Sequence, residues 1–356
     1  MKGCLVRSST LSARSYSSRV SPQQVAQVVL GARKHDVHQE QLSNVKNHIS
    51  ERKKPGSPIF DRRAGDRAKL LYERYNPGYS SVAASRLGNA NYFFNAAEVT
   101  YEWSASSFWD IPGEKLKARV EQQVLNQEPA TDHGENSRPK NVSTARKYPG
   151  KTDGIPFELL NGLPEVAFLG RCNAGKSTLL NNMTTEFSKI KLDEYAKTSK
   201  KAGFTKTINC FNVGRRFRLI DTPGYGVKGT FEQGELIMRY LRERKELKRV
   251  YLLISAEQGF TETDSQIVEF LTKFGIPYEI VFTKLDKVSN LSRLHQVIED
   301  SGVLELPTMP RMLFLNSITN SQCPKRLGIS SLRDSILESC GLEQAVKPLK
   351  FKSKRQ

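Results

Sequence analysis

The sequence predicts an α/β chain built on a mixed, mostly parallel sheet with helices on both faces, and three observations carry that prediction. From Leu163 onward, short β-rich apolar runs alternate with amphipathic helical stretches, the pattern of strands joined through helices and covered on both sides. A glycine-containing loop, Gly170 to Ser177, stands between the first of those strands and the first of those helices. Between Val213 and Phe217 only a tight turn at Gly214 fits, so the strands flanking it form an antiparallel hairpin and the sheet is mixed.

Each element follows from its own pattern. Strands are predicted at Glu165–Leu169, Ile208–Val213, Phe217–Asp221, Val250–Ser255, Tyr278–Thr283 and Arg311–Leu315, where apolar and β-branched residues run nearly without interruption, as in strands buried on both faces. Helices are predicted at Lys176–Thr184, Glu232–Lys245, Thr263–Phe274, Ser289–Asp300 and Ser331–Cys340, where apolar positions recur with helical spacing. The last ends at Gly341, a residue type suited to the left-handed position after a helix. Upstream, Val25, Val28, Val29 and Ala32 have the spacing of a short helix. Residues 112–154 are rich in Pro, Gly, Asn, Lys and Gln, and Pro129, Pro139 and Pro149 break any helix after Leu125; this segment reads as an insertion. No internal repeat is visible.

At 356 residues the chain can hold one large domain with appendages or two ordinary ones. Hydrophobic residues make up 38%, which excludes disorder throughout, and no apolar run is long enough to span a bilayer. The net charge of +18 makes a polyanion the first partner to consider. Lys347, Lys350, Lys352, Lys354 and Arg355 form a basic tail with no acid beyond Lys347. Cys4, Cys172, Cys210, Cys323 and Cys340 are widely spaced with no CxxC motif, which points to free thiols in a reducing compartment. His35 and His38 have no partner ligands at metal-binding spacing. Before Asp36 the chain carries Lys2, Arg7, Arg14, Arg19, Arg33 and Lys34 with abundant serine and no acid, the composition of a mitochondrial transit peptide. Arg14 to Ser17 suits cleavage after Tyr16, and the leader is assigned to residues 1–20.

Gly170, Arg171, Cys172, Asn173, Ala174, Gly175, Lys176 and Ser177 fit GxxxxGK[ST], followed by Thr178. A strand before and a helix after are what this phosphate-binding loop requires. Its backbone N–H groups converge on a β-phosphate at the positive end of the helix. Lys176 is placed to bridge β- and γ-phosphates, and the Ser177 hydroxyl to hold Mg²⁺. Asp221-Thr-Pro-Gly224 closes the third predicted strand, Phe217–Asp221; Asp221 is the second Mg²⁺-directed group, and the Gly224 N–H senses the γ-phosphate. Thr205, with Thr207 as the alternative, is the residue expected to close on Mg²⁺ and γ-phosphate. Thr283-Lys284-Leu285-Asp286 resembles the guanine-reading [NT]KxD of Ras-like GTPases, since one carboxylate can accept both the N1–H and the N2 amino group of guanine. Asn316 and Ser317 follow the final strand, where a backbone N–H can meet the guanine O6; Ser317 is the better placed.

The runs Gly170 to Asn181, Gly203 to Phe211, Asp221 to Gly226 and Thr283 to Asp286 together resemble the EngB (YihA) family, GTPases of the TRAFAC class, and the leader suggests a mitochondrial member. The resemblance covers about residues 99–345, with Tyr101 to Pro112 similar to the family's first strand; residues 21–98 then form an N-terminal extension, partly disordered, and 346–356 the basic tail. It implies a P-loop GTPase domain that helps assemble the large ribosomal subunit, with Lys176, Thr205 and Gly224 acting on the γ-phosphate, and Ser177, Thr205 and Asp221 around Mg²⁺. This sequence has Phe204, Cys172 and Thr222 where the family usually has Arg, Ser and Leu. Tyr225 stands where Ras-like enzymes carry a water-orienting Gln, which implies slow unaided hydrolysis of GTP to GDP. Asn173 matches a loop asparagine that helps related GTPases hold K⁺. The expected partner is the mitochondrial large ribosomal subunit or its rRNA, and the chain is expected to be a monomer. The competing reading is an RNA-binding or tethering factor with vestigial nucleotide turnover.

Overall fold

A computed structural model of the chain describes residues 64–125, 162–187, 189, 206–226, 230–288, 290–320, 323–342 and 345–349. In chain order these form α1 (Ala64–Tyr75), α2 (Ala84–Ala96), β1 (Val99–Ala105), α3 (Glu114–Leu125), β2 (Glu165–Gly170), α4 (Lys176–Met183), β3 (Ile208–Val213), β4 (Phe217–Asp221), α5 (Phe231–Glu243), β5 (Leu247–Ser255), α6 (Glu262–Lys273), β6 (Tyr278–Thr283), α7 (Leu291–Asp300), β7 (Met312–Phe314) and α8 (Ile329–Ser339). The leader, the Val25 to Ala32 helix, the insertion prolines, Phe204, Thr205 and the tail beyond Leu349 lie outside the described residues.

One sheet runs β1-β3-β4-β2-β5-β6-β7. The β3–β4 pair is antiparallel, with Val213 opposite Phe217, as the short turn dictates. β1 also lies antiparallel on β3. From β4 through β2, β5 and β6 to β7 the pairing is parallel, so the sheet is mixed and mostly parallel. Successive residues of β2 serve opposite faces: Ala167 and Leu169 join the core beneath α5, α6 and α7, and Val166 and Phe168 join the core beneath α2, α4 and α8. That two-sided burial is why the strands read as unbroken apolar runs.

Buried charges at the amino ends of the central strands are paired. Glu165, fully buried at the start of β2, accepts two bonds from Arg244, at 2.6 and 2.9 Å, and one from the Tyr240 hydroxyl at 2.8 Å. Arg244 also pairs with Glu114 at the start of α3, and buried Arg218 reaches Glu102 of β1 at 2.6 Å. The network fastens β1 and α3 to the central strands, because a buried charge deprived of its partner costs several kcal/mol.

Within the N-terminal extension of residues 21–98, α1 and α2 pack directly on the nucleotide domain. Leu71 and Tyr75 of α1 enter the core on one face, and Phe93 and Phe94 of α2 enter the core on the other. Asn76 seals the β7 edge, donating from Nδ2 to the Met312 carbonyl at 2.9 Å and accepting the Met312 N–H at 2.7 Å. Arg86 reaches Asp334 at 2.6 Å, and Asn91 donates to Ser330 at 2.9 Å, both on α8. Residues 112–154 likewise open with a helix, α3, fixed by Glu114. Among the described residues no helix is long and apolar enough to cross a membrane.

Candidate functional site

The parallel strands all end on one edge, and the four sequence motifs sit on that edge. Gly170 ends β2, Asp221 ends the neighbouring β4 opposite Phe168, and Thr283 ends β6 opposite Ser255 of β5. Asn316 follows β7 after Leu315, whose carbonyl accepts the Leu285 N–H at 3.2 Å. A crevice at the carboxyl edge of such a sheet is where ligands bind in open α/β folds.

The loop from Gly170 to Gly175 passes directly into α4. Gly175 has φ +95° and Asn173 φ +65°, left-handed conformations that glycine adopts freely and asparagine tolerates. They turn the chain so that it enters α4 at an end whose first N–H groups have no intrahelical partners. Lys176 is buried and donates to the carbonyls of Gly170 at 2.7 Å and Arg171 at 3.2 Å, stretched along the loop from within. Burial holds its pKa below the usual lysine value, against the opposing pull of Asp221. Ser177 and Thr178 are half-buried at the start of the helix.

Asp221 is fully buried, and neither carboxylate oxygen has a hydrogen-bond partner among the described residues. Burial pushes its pKa up to about 7, although the nearby Lys176 opposes the shift. An anionic oxygen pair left unmatched beside a phosphate-type loop suits a hard divalent cation. The residues present therefore fit Mg²⁺, which the Asp221 carboxylate and the Ser177 hydroxyl would hold. Thr222 beside it donates to the Phe168 carbonyl at 2.7 Å, so the threonine standing in place of the family's leucine is matched inside the core. Gly224 lies against the loop: a Cβ there would stand 2.9 Å from the Cys172 sulfur and 3.0 Å from its backbone nitrogen, so only glycine allows this approach. Thr207, the alternative to Thr205, donates to Asn209 at 3.1 Å.

The guanine-type motif is joined to the loop by a side chain. The Thr283 hydroxyl donates to the Ala174 carbonyl at 2.7 Å, setting the height of Lys284 and Asp286 relative to the phosphate loop. Lys284 sits at φ +58°, and a short 3-10 turn, Leu285–Lys287, carries half-buried Asp286. Burial and neighbouring Lys287 hold the Lys284 pKa below the ordinary value. The Asn316 side chain is consumed within its own loop, donating to the Ile318 and Lys325 carbonyls at 3.0 and 3.2 Å and accepting the Leu327 N–H at 2.7 Å. Its amide thus shapes the loop, and half-buried Ser317 is left as the residue able to present a backbone N–H to a base.

Asp264, on α6, is the member of this region that sequence reasoning missed. Fully buried, it accepts the Tyr225 hydroxyl at 2.6 Å, pairs with Arg171 Nε at 3.1 Å and accepts the Thr261 N–H at 2.8 Å. The Tyr225 carbonyl in turn accepts the Cys172 N–H at 3.2 Å. Arg171 is therefore spent on α6 and contributes backbone to the phosphate loop, while Tyr225 is drawn beneath the loop, where it has neither the amide nor the freedom to orient a water. The run Thr261-Glu-Thr-Asp264 was legible as a helix start. Nothing local revealed that its carboxylate turns inward to meet two other segments.

Residues 165–284 match the family described as 50S ribosome-binding GTPase. MIOREX complex component 8 of Saccharomyces cerevisiae is 42% identical over 273 residues, 76% of this chain and 79% of that protein. The probable GTP-binding protein EngB of Prosthecochloris aestuarii is 40% identical over 151 residues, 41% of this chain and 74% of that protein. The corresponding EngB protein of Solibacter usitatus is 39% identical over 165 residues, 44% of this chain and 82% of its own length. With the phosphate loop, the Asp221 segment and the guanine-type motif aligned on one sheet edge, this chain belongs to the EngB family of GTP-binding proteins.

Proposed function

We propose that this chain is a mitochondrial GTPase that binds GTP or GDP with Mg²⁺, hydrolyses GTP slowly, and acts as a monomer on the large mitochondrial ribosomal subunit or its rRNA. The observation that carries the nucleotide reading is Asp221, a buried carboxylate without a described partner beside Lys176 and the phosphate loop. Lys176 is assigned to the β- and γ-phosphates, Ser177 and Asp221 to the metal, and the N–H groups of Gly224 and the loop to phosphate oxygens. Bound Mg²⁺ would neutralise charge on the phosphate oxygens. Thr283, Lys284, Asp286 and the Ser317 backbone are assigned to the base. Thr205 is assigned to closure over the γ-phosphate.

Slow turnover is inferred from Tyr225, whose hydroxyl is committed to Asp264. Without a water-orienting amide the unaided rate is expected near the intrinsic GTPase scale, about 10⁻⁴ to 10⁻² s⁻¹, rising on the partner. The ribosomal partner is supported by the description of the matching family, and the address by the acid-free, serine-rich leader. The intact set of Lys176, Ser177, Asp221 and Asp286 speaks against a vestigial site. A role for Asn173 in K⁺ activation belongs to the same proposal, and equal turnover in Na⁺ and K⁺ buffers would remove it.

The deciding experiment is sedimentation of the full chain with large mitoribosomal subunits in GDP and in a non-hydrolysable GTP analogue. The expected result is association that depends on the nucleotide and weakens with salt. Association indifferent to nucleotide would overturn the switch reading, and no uptake of labelled GTP or GDP at micromolar concentration would overturn the site itself.

A further inference from the structure

At the junction between β1 and α3, an aromatic side chain is fixed beside a basic groove. The 3-10 turn Phe108–Asp110 buries Phe108 and leaves Trp109 39% exposed. Asp110 closes the turn, its Oδ2 accepting the Ser107 N–H at 2.8 Å and the Ser106 hydroxyl at 3.0 Å, so the indole is carried on a braced segment. Arg239 of α5 lays its guanidinium 4.3 Å from the indole centroid and 4.8 Å from that of Phe108. Its Nε is tied to Glu243 at 2.9 Å, which holds the cation over the ring.

An open groove of about 490 Å³ lies beside the indole, with Trp109, Asp110, Lys115, Ala118, Arg119 and Gln122 in its lining. Lys115 and Arg119 are both exposed and four residues apart on α3, so they project as neighbours along one helix face. A tryptophan and an arginine together also occur at the centres of protein interfaces, but there they sit within a water-excluding apolar surround. Here Ala118 is the sole aliphatic residue in the lining, which apart from the indole itself is otherwise charged or polar. A partly exposed indole, one face backed by Arg239, beside further cations in an open groove is an arrangement that can receive a base and its adjoining phosphates.

We propose that this groove binds single-stranded RNA, with one base stacked on Trp109 and the flanking phosphates held by Lys115 and Arg119. Asp110 supplies an acceptor suited to an exocyclic amino group and repels phosphate from that end of the groove. The proposal rests on the ribosomal reading only for the source of the strand; its chemistry stands on the groove.

The chain has two tryptophans, and Trp103 is 6% exposed, so a ligand stacking here reports itself through Trp109 emission. The full chain would be titrated with a twelve-nucleotide oligocytidylate, whose N4 amino groups suit Asp110, at low salt, followed by tryptophan emission and by anisotropy of the labelled strand. Saturable quenching is expected. Trp109→Leu should abolish it and weaken binding by about ten-fold or more, while Trp109→Tyr keeps a stacking face and restores much of the affinity. Lys115→Ser with Arg119→Ser, on an exposed helix face, should lower the slope of log affinity against log salt by about 1.4. GDP uptake measured on every variant separates this site from the nucleotide site, and large-subunit sedimentation of the wild type separates it from the ribosomal reading. Unquenched emission in a chain that takes up GDP, equal anisotropy titrations for wild type and Trp109→Leu, or equal quenching by polyglutamate would each overturn the proposal.

Discussion

Asp221 sets a residue-scale prediction through proton linkage. Its folded pKa of about 7 lies above the ordinary aspartate value, so the nucleotide-free fold binds a proton that the unfolded chain has already released. The sign follows directly: Asp221 favours the fold most below about pH 4, and that contribution is lost as the pH rises to about 7. Full burial makes the loss on the order of 4 kcal/mol at most. Melting curves of nucleotide-free protein between pH 5 and 7.5 should therefore fall with pH, and Asp221→Asn should flatten the fall while weakening Mg²⁺-dependent nucleotide retention. An unchanged slope in the variant would remove Asp221 as its source. At the other end of the crevice, Asp286→Asn should exchange guanine for xanthine preference, because the amide can donate to the xanthine O2. Full retention of GTP affinity in that variant would refute the base assignment. These residues were legible from the sequence because motif chemistry is local. The role of Asn316 was not, because the carbonyls that its amide satisfies belong to residues further along the chain, at Ile318 and Lys325.

Coupling between the phosphate loop, the Asp221 segment and α6 belongs to the scale of elements. Asp264 accepts from Tyr225 and pairs with Arg171, so one buried carboxylate spans three segments that surround the nucleotide end. Tyr225→Phe removes a single hydrogen bond and should cost about 1 kcal/mol. Asp264→Asn also removes the charge matched to Arg171 and alters the start of α6, and should cost about 3 kcal/mol. If the carboxylate holds the Tyr225 segment against the loop, both variants should speed release of a fluorescent GDP analogue, with Asp264→Asn the faster. Lowered melting temperature with unchanged release would reduce Asp264 to a stabilising group. From Leu163 onward the strands and helices were legible to within a few residues because binary pattern and turn chemistry are short-range, whereas α1, α2 and α3 were not among the predicted helices. β5 begins at Leu247, earlier than the apolar pattern suggested, since its first residues, including exposed Lys248, carry mixed polarity while still pairing with β2. The Schellman-type closure of α8 was visible in Gly341, whose φ is +65° and after which the Leu342 N–H returns to Leu337 at 3.0 Å.

For the whole molecule, the lesson lies in α1 and α2, which belong to the N-terminal extension of residues 21–98 and which pack onto both faces of the sheet. α1 has few apolar positions, and beside Leu71, Tyr75, Phe93 and Phe94 the attachment runs through Asn76, Arg86 and Asn91, polar side chains whose partners lie more than two hundred residues away. No local pattern encodes such pairings. Asn76 is the sharpest test, because its amide donates to the Met312 carbonyl and accepts the Met312 N–H on an otherwise open strand edge. Asn76→Ala leaves both buried backbone groups unmatched, at about 1–3 kcal/mol, which for a domain of this size lowers the melting temperature by about 3–10 °C. Asn76→Asp can accept from the N–H but cannot donate when ionised, and should fall below Asn76→Ala in stability by placing a charge against the carbonyl. If the two helices are part of the cooperative unit, calorimetry of wild type and Asn76→Ala should each give one transition, and protease cleavage between α1 and α2 should begin only near that transition. Early loss of α1 with the remaining transition unmoved would return residues 64–96 to the status of an appendage.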